Sequence, residues 1–415
     1  MFMTGIQTTA GEFTQLILNI ALDKNNLVRT AINFDRMRPL DKSDNIPLCL
    51  DRNVDAVALH CYEDSGMATG AFLAAQTLCY EVTGDPAALA GARTAFSGIK
   101  YIYQLGCQKK EGFFPKPYGS KFSNHMSRDQ YMFAMSGLAH YYRIAQRSEK
   151  AVIRRMITRM GGYWIDIDYK VDYFGLPSSS NLKDYIAGLF LGLIHMPYSF
   201  GGGERYKVEF DRLIEKENLD IIIKGTLRAK YRRGEKYDGG TYFRQNENPA
   251  MLKCLAIDYL WDAEPEHRDL YTESLENLVR DDLFFELSED DGLNYCLVGY
   301  NPDTDERYFA PPSVIHELDN PLDLSFLTWG GLRRRAGSTQ SAFSAVVAAA
   351  RLNNPQLAAK AYDVLSKLSL EKFRGLIVPG PEHIPPGRDF EQNILMTNYI
   401  CYWLCSYWLA KKYNA

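Results

Sequence analysis

The strongest constraint in this chain is an alternation in the lengths of its connections. Twelve amphipathic helical segments are joined in turn by tight turns and by long stretches. The tight turns fall at Gly84-Asp85-Pro86, Arg147-Ser148-Glu149, Gly201-Gly202-Gly203, Ala263-Glu264-Pro265 and Asn353-Asn354-Pro355. The long connections cover about 31–57, 107–126, 163–179, 226–247, 283–336 and 371–389. In a ring of helical hairpins, every tight turn lies at one end and every long loop at the other. Binding and catalytic groups concentrate on loops carried by a rigid scaffold, so the alternation predicts a single functional mouth.

Helical periodicity is strongest over Gly66–Thr83, Pro86–Leu105, Arg128–Ala145, Leu182–Tyr198, Pro249–Trp261, Thr339–Leu352, Pro355–Leu368 and Phe390–Lys411. More polar helices are expected at Glu12–Leu27, Glu149–Met160, Arg205–Ile223 and Glu266–Asp281. The segments Gly66–Thr83, Arg128–Ala145, Leu182–Tyr198 and Thr339–Leu352 are rich in Ala, Gly and Ser and poor in charge, which suits an inner ring buried on most sides. Arg205–Ile223 keeps a charged face with Lys207, Glu209, Asp211, Arg212, Glu215 and Lys216, which suits an outer ring. The expected fold is therefore all-α, six helical hairpins closed into one domain over residues 1–415.

Composition narrows the partners. A net charge of −4 gives no general attraction to nucleic acid or to an anionic membrane. No apolar run reaches the roughly 18–20 residues that span a bilayer. Met1 to Ala10 lacks a basic start followed by an apolar run, so a cytoplasmic protein is expected. The eight cysteines show neither a CxxC pair nor zinc-ligand spacing, so free thiols and no cofactor are expected.

The long loops are aromatic and polar, as in Gly112-Phe113-Phe114-Pro115-Lys116-Pro117-Tyr118, Tyr163-Trp164-Ile165-Asp166 and Tyr237-Asp238-Gly239-Gly240-Thr241-Tyr242-Phe243-Arg244. Loops of this length in compact domains are commonly functional, and rings beside Asp, Asn and Arg suit sugars, whose C–H faces stack while their hydroxyls need donors and acceptors. The same rings also serve simply to pin a loop to the body.

The inner helices begin at the mouth, at Glu63-Asp64-Ser65, Ser127-Arg128-Asp129-Gln130, Asn181-Leu182-Lys183-Asp184, Asn246-Glu247-Asn248 and Ser338-Thr339-Gln340. Asp64 and Asp129 head consecutive inner helices and are the candidate catalytic pair. Glycosidic hydrolysis uses two carboxyl groups, about 6.5–9.5 Å apart when configuration inverts. Helix capping competes with this reading, above all at Asp184, because a first-turn Asp is favoured by the helix dipole. A helix N-terminus lowers a carboxyl pKa whereas a general acid needs its own raised, so burial or a neighbouring carboxylate has to win at the proton donor. Glu63, His125, Arg128, Gln130, Trp164, Asp184, Tyr242 and Arg244 are the candidate substrate-binding residues, with Arg128 and Arg244 suited to the carboxylate of an acidic sugar. His195 and His140 read as core histidines.

These features resemble the six-hairpin glycosidase superfamily of (α/α)6 toroids, and within it the unsaturated glucuronyl and rhamnogalacturonyl hydrolases. Glu63-Asp64-Ser65-Gly66-Met67-Ala68-Thr69 stands where those enzymes carry an Asp-x-Gly helix start. Ser127-Arg128-Asp129-Gln130-Tyr131-Met132 stands where they carry an Asp followed by an apolar run, with Gln130 departing from the usual residue. The resemblance implies that Asp129 protonates the double bond of a 4,5-unsaturated uronic acid and directs water to it, supported by Asp64, on an oligosaccharide substrate. Two other readings stay open. One is a polysaccharide lyase using Tyr237, Tyr242, His125 and Arg232, and the other is a noncatalytic carbohydrate-binding toroid. The loop 283–336 either covers the cavity or makes a subunit contact in a homo-oligomer.

Overall fold

The computed structural model describes residues 3–44, 54–173, 176–177, 182, 188–217, 242–244, 247–281, 297–301, 306–309, 338–373 and 394–414. Helix α1 is Met3–Leu16, continued by a wider π turn at Ile17–Ala21. The helices that follow are α2 Ala56–Tyr62, α3 Ser65–Thr83, α4 Pro86–Gly106, α5 Arg128–Tyr142, α6 Arg147–Asp166, α7 Leu189–Ser199 and α8 Glu204–Arg212. Beyond them lie α9 Glu247–Ala263, α10 Arg268–Asp281, α11 Ser338–Leu352, α12 Pro355–Lys367 and α13 Thr397–Tyr413.

Six helices close a ring in the order α3, α5, α7, α9, α11, α13 and back to α3, each packed on the next. Their partners α4, α6, α8, α10, α12 and α1 lie outside. Burial separates the two layers. Along α3 every residue from Ser65 to Leu78 is buried, and along α13 every residue from Thr397 to Ala410. By contrast, α4 buries one stripe, Ala88, Gly91, Ala92, Ala95, Phe96, Ile99, Ile102 and Tyr103, at three- and four-residue spacing. Each fully buried large apolar side chain contributes about 1.5–3 kcal/mol, so an inner helix gains on all sides and tolerates few charges.

The ring is locked where the chain's two ends meet. Strand β1 (Ala31–Asn33) pairs with β2 (Arg38–Pro39) on one side and with β8 (Ile394–Met396) on the other, in the register Ala31↔Met396, Ile32↔Leu395 and Asn33↔Ile394. The amide of Thr397 then donates to the carbonyl of Thr30 at 3.0 Å. A second small sheet joins β3 (Asp172–Tyr173) to β4 (Leu176–Pro177), and a third orders β5 (Tyr242–Arg244), β6 (Leu297–Asn301) and β7 (Glu306–Phe309). Among the described residues no helix is long and apolar enough to cross a membrane.

Several boundaries differ from the sequence expectation, each for a packing reason. Helix α1 begins well before Glu12 because Ile6, Ala10, Phe13 and Ile17 form a buried stripe that the intervening threonines and glycines obscure. Helix α6 runs through Gly161-Gly162 to Asp166 instead of stopping at Met160. Those glycines are close-approach positions, since a Cβ at Gly161 would fall 2.3 Å from Pro197 Cγ. The last helix starts at Thr397 rather than Phe390, because Ile394–Met396 is drawn into the closing sheet.

Candidate active site

Helices α3 and α5 run parallel at very short range. A Cβ on Gly70 would lie 2.5 Å from the Phe133 carbonyl, and one on Gly137 would lie 2.5 Å from the Gly70 carbonyl. Only glycine allows two backbones so near each other. Because Gly66 lies beside Gln130 and Gly70 beside Phe133, the two helix starts are level, and Asp64 and Asp129 stand at the same end of the ring.

The top of this seam is sealed by a buried polar knot. Lys116 forms an ion pair with the Glu63 carboxylate and also donates to the Glu63 carbonyl at 3.1 Å. The Gln130 carboxamide donates to the same carbonyl at 2.6 Å. The Glu63 and Lys116 side chains are 7% and 2% exposed. Burying two charges is costly unless they are paired and hydrogen-bonded, and this knot meets both conditions. Glu63 and Gln130 are therefore corrected from substrate contacts to seam residues, because neither presents a polar group at a surface. Gln130 Oε1 faces Gly66, where an added Cβ would lie 2.7 Å away.

Asp129 faces the other way. Ser127 caps α5, its hydroxyl accepting from the Gln130 amide at 3.4 Å, which leaves the Asp129 carboxylate out of the cap. The carboxamide of Asn248, in the first turn of α9, donates to Asp129 Oδ2 at 3.0 Å. Gln340, in the first turn of α11, donates to Asn248 Oδ1 at 2.9 Å. Three inner helices are thus tied at the mouth by a carboxylate and two carboxamides. The Asp129 side chain is 24% exposed, with Oδ1 lying 3.7 Å from Arg128 Nε. Asp64 precedes α3 with φ −101° and ψ 14°, its carbonyl accepts from the Ala68 amide at 2.9 Å while its side chain makes no cap hydrogen bond, and it is buried.

The remaining candidates are scattered around this point. His125 is half-buried, its ring edge-on to Tyr118 at 5.8 Å, and its carbonyl accepts from the Lys116 amide at 2.7 Å. Arg128 is 19% exposed beside Asp129. Trp164 is fully buried between Tyr131 and Phe190, at 5.2 and 5.0 Å, so it is corrected from a sugar platform to a core residue with no open ring face. Tyr242 and Arg244 lie in β5, opposite Gly299 and Leu297 of β6. Asp184 falls outside the described residues, as do Tyr237, Arg232 and most of the loop 283–336. Asn248 and Gln340 were visible in the sequence only as helix-start residues. Their signal was a carboxamide in the first turn of an inner helix.

No protein-family model matches the chain, and no curated protein does either. Solved structures do match. A D-mannose isomerase superposes with a TM-score of 0.50 at 9% identity, covering 99% of this chain and 98% of that one. A glycosyl hydrolase family 88 protein from Bacteroides vulgatus superposes with a TM-score of 0.51 at 12% identity, covering 97% and 98%. The chain has the (α/α)6 toroid fold, a ring of six helical hairpins. In this (α/α)6 toroid, the helix starts that carry Asp64, Asp129, Asn248 and Gln340 stand at one end of the ring, opposite the tight turns after α3, α5, α7, α9 and α11.

Proposed function

We propose that this toroid is a glycoside hydrolase with its active site at the mouth and Asp129 as acid/base. The observation that carries the reading is the state of that carboxylate, partly exposed, with one oxygen anchored by Asn248 and the other beside Arg128. A carboxyl group held at one oxygen and open at the other passes a proton without losing its orientation. The fold shared with a glycosyl hydrolase over nearly the whole chain supports the same reading.

Asp64, more buried at the neighbouring helix start, takes a supporting role. The unequal burial of the two carboxylates favours a reaction that one carboxyl group completes, as in hydration of the double bond of a 4,5-unsaturated uronic acid. Asp129 donates its proton to the double bond, and water adding to the resulting cation returns a proton to the same carboxylate. The Arg128 guanidinium would pair with the uronate carboxylate of an acidic oligosaccharide. His125, Tyr242 and Arg244 belong to the connections at this end and complete the proposed binding set.

One exposed carboxyl group also suits a sugar isomerase, which moves a proton between adjacent carbons, and a D-mannose isomerase shares the fold. Unsaturated uronyl disaccharides separate the readings. The expected result is loss of the double-bond absorbance with wild type and about 10²–10⁴-fold slower loss with Asp129→Asn, at unchanged thermal midpoint. Conversion of D-mannose to D-fructose by a wild type inert on every unsaturated disaccharide would move the assignment to isomerase.

A further inference from the structure

Gln340 is buried and donates to Asn248, whose own carboxamide donates to Asp129. A carboxamide standing alone next to a carboxyl group has two orientations. It offers N–H to an ionised carboxylate, or it offers C=O to a protonated one. In this structure the Asn248 oxygen is already taken by the Gln340 N–H at 2.9 Å, so the Asn248 N–H points to Asp129 Oδ2 at 3.0 Å. We propose that Gln340 is a positioning residue that acts through Asn248, and that the two carboxamides form a directional relay holding Asp129 Oδ2 as a hydrogen-bond acceptor.

Two consequences follow from the geometry. Oδ2 keeps its acceptor role only while the relay runs from Gln340 toward Asp129, so proton exchange is left to Oδ1, on the Arg128 side. Protonation at Oδ2 requires both carboxamides to turn over together, reversing every hydrogen bond in the chain. Asp129 is thereby coupled to α9 and α11, although neither helix brings it an ionisable partner through these bonds. Among the described residues, Arg128 lies beside it on its own helix, and Glu63, paired to Lys116, and Asp64 stand at the start of α3. The described starts of α7 and α11 bring no charged side chain to this end.

The relay deepens the assignment of Asp129 as acid/base and rests on it, but its test does not need a substrate. The titration of Asp129 is followed by ¹³C NMR in protein labelled at the aspartate carboxyl carbons, the resonance being assigned by its loss in Asp129→Asn. Gln340→Glu keeps the side-chain size but only accepts when ionised, so it turns Asn248 around and raises the Asp129 midpoint by about one to three pH units. Gln340→Met removes the bias without adding charge and raises it less. Both shifts should shrink in an Asn248→Ala background, because the relay has lost its middle member. A Gln340→Glu shift that survives Asn248→Ala in full is direct charge repulsion and overturns the relay, as does an unchanged midpoint in folded Gln340→Met. Activity on unsaturated disaccharides is scored separately. NMR shifts as expected in an enzyme that hydrates none of them would keep the relay and discard the hydrolase assignment.

Discussion

The two flanks of α5 differ in kind. Toward α3 it is sealed by backbone against backbone at Gly70 and Gly137, and by the buried knot of Glu63, Lys116 and Gln130. Toward α9 and α11 it is bridged at the mouth by Asp129, Asn248 and Gln340. Consecutive residues make the difference. Gln130 enters the seam while Asp129, turned by about 100° around the helix, faces the bridge. The lesson is that a polar residue at an inner-helix start has two fates, decided by whether the neighbouring helix comes close enough to exclude water. The seam supplies rigidity, and the bridge holds a carboxylate that keeps some contact with solvent.

Breaking the seam should affect stability far more than chemistry. Glu63→Gln leaves the Lys116 ammonium buried without its counter-charge, and a loss of about 3–5 kcal/mol is expected in denaturant unfolding. A loss below about 1 kcal/mol would mean that the knot is open to water. Gly70→Ala pushes a Cβ against the Phe133 carbonyl, and overpacking of this kind costs about 1–3 kcal/mol even though alanine is the better helix former. A stabilised Gly70→Ala protein would show that the seam has room to spread.

A smaller effect sharpens the contrast by placing pH sensitivity at the tight-turn end, away from the mouth. Burial pushes the His195 imidazole down to about 4 from its ordinary value of 6.5, with Glu264 pulling the other way. The ring packs against Phe210 at 4.9 Å and its Nδ1 lies 3.2 Å from the Ser199 hydroxyl. Unfolded His195 takes up a proton below about 6.5, while the folded form does so only near 4. Its contribution is therefore complete above 6.5 and is lost as pH falls toward 4, at up to about 1.4 kcal/mol per pH unit. Unfolding curves of wild type and His195→Phe across that window should converge toward acid. Parallel curves would remove His195 as the source of the slope.

Much of the architecture was legible in the chain. The tight turns at Gly84, Gly201 and Asn353 and the Ala- and Gly-rich inner helices follow from local chemistry, because turn residues and burial patterns act within a few positions. The closing strand Ile394–Met396 was not legible, since its partner Ala31–Asn33 lies more than three hundred residues away. Gly161 and Gly162 read locally as a helix stop, and only their nearness to Pro197 and Tyr206 shows why the helix continues.

The site divides in the same way. The sequence by itself determined that Glu63, Asp64, Asp129 and Gln130 stand at the end of the ring opposite the tight turns, because helix starts and loop lengths set which end of a hairpin each residue occupies. Only the tertiary structure decided that Glu63 and Gln130 close a seam, that Trp164 is core, and that Asp129 is held by Asn248 and Gln340 from two other helices. Burial and hydrogen bonding depend on the distance to groups remote in sequence, and no local pattern encodes that distance.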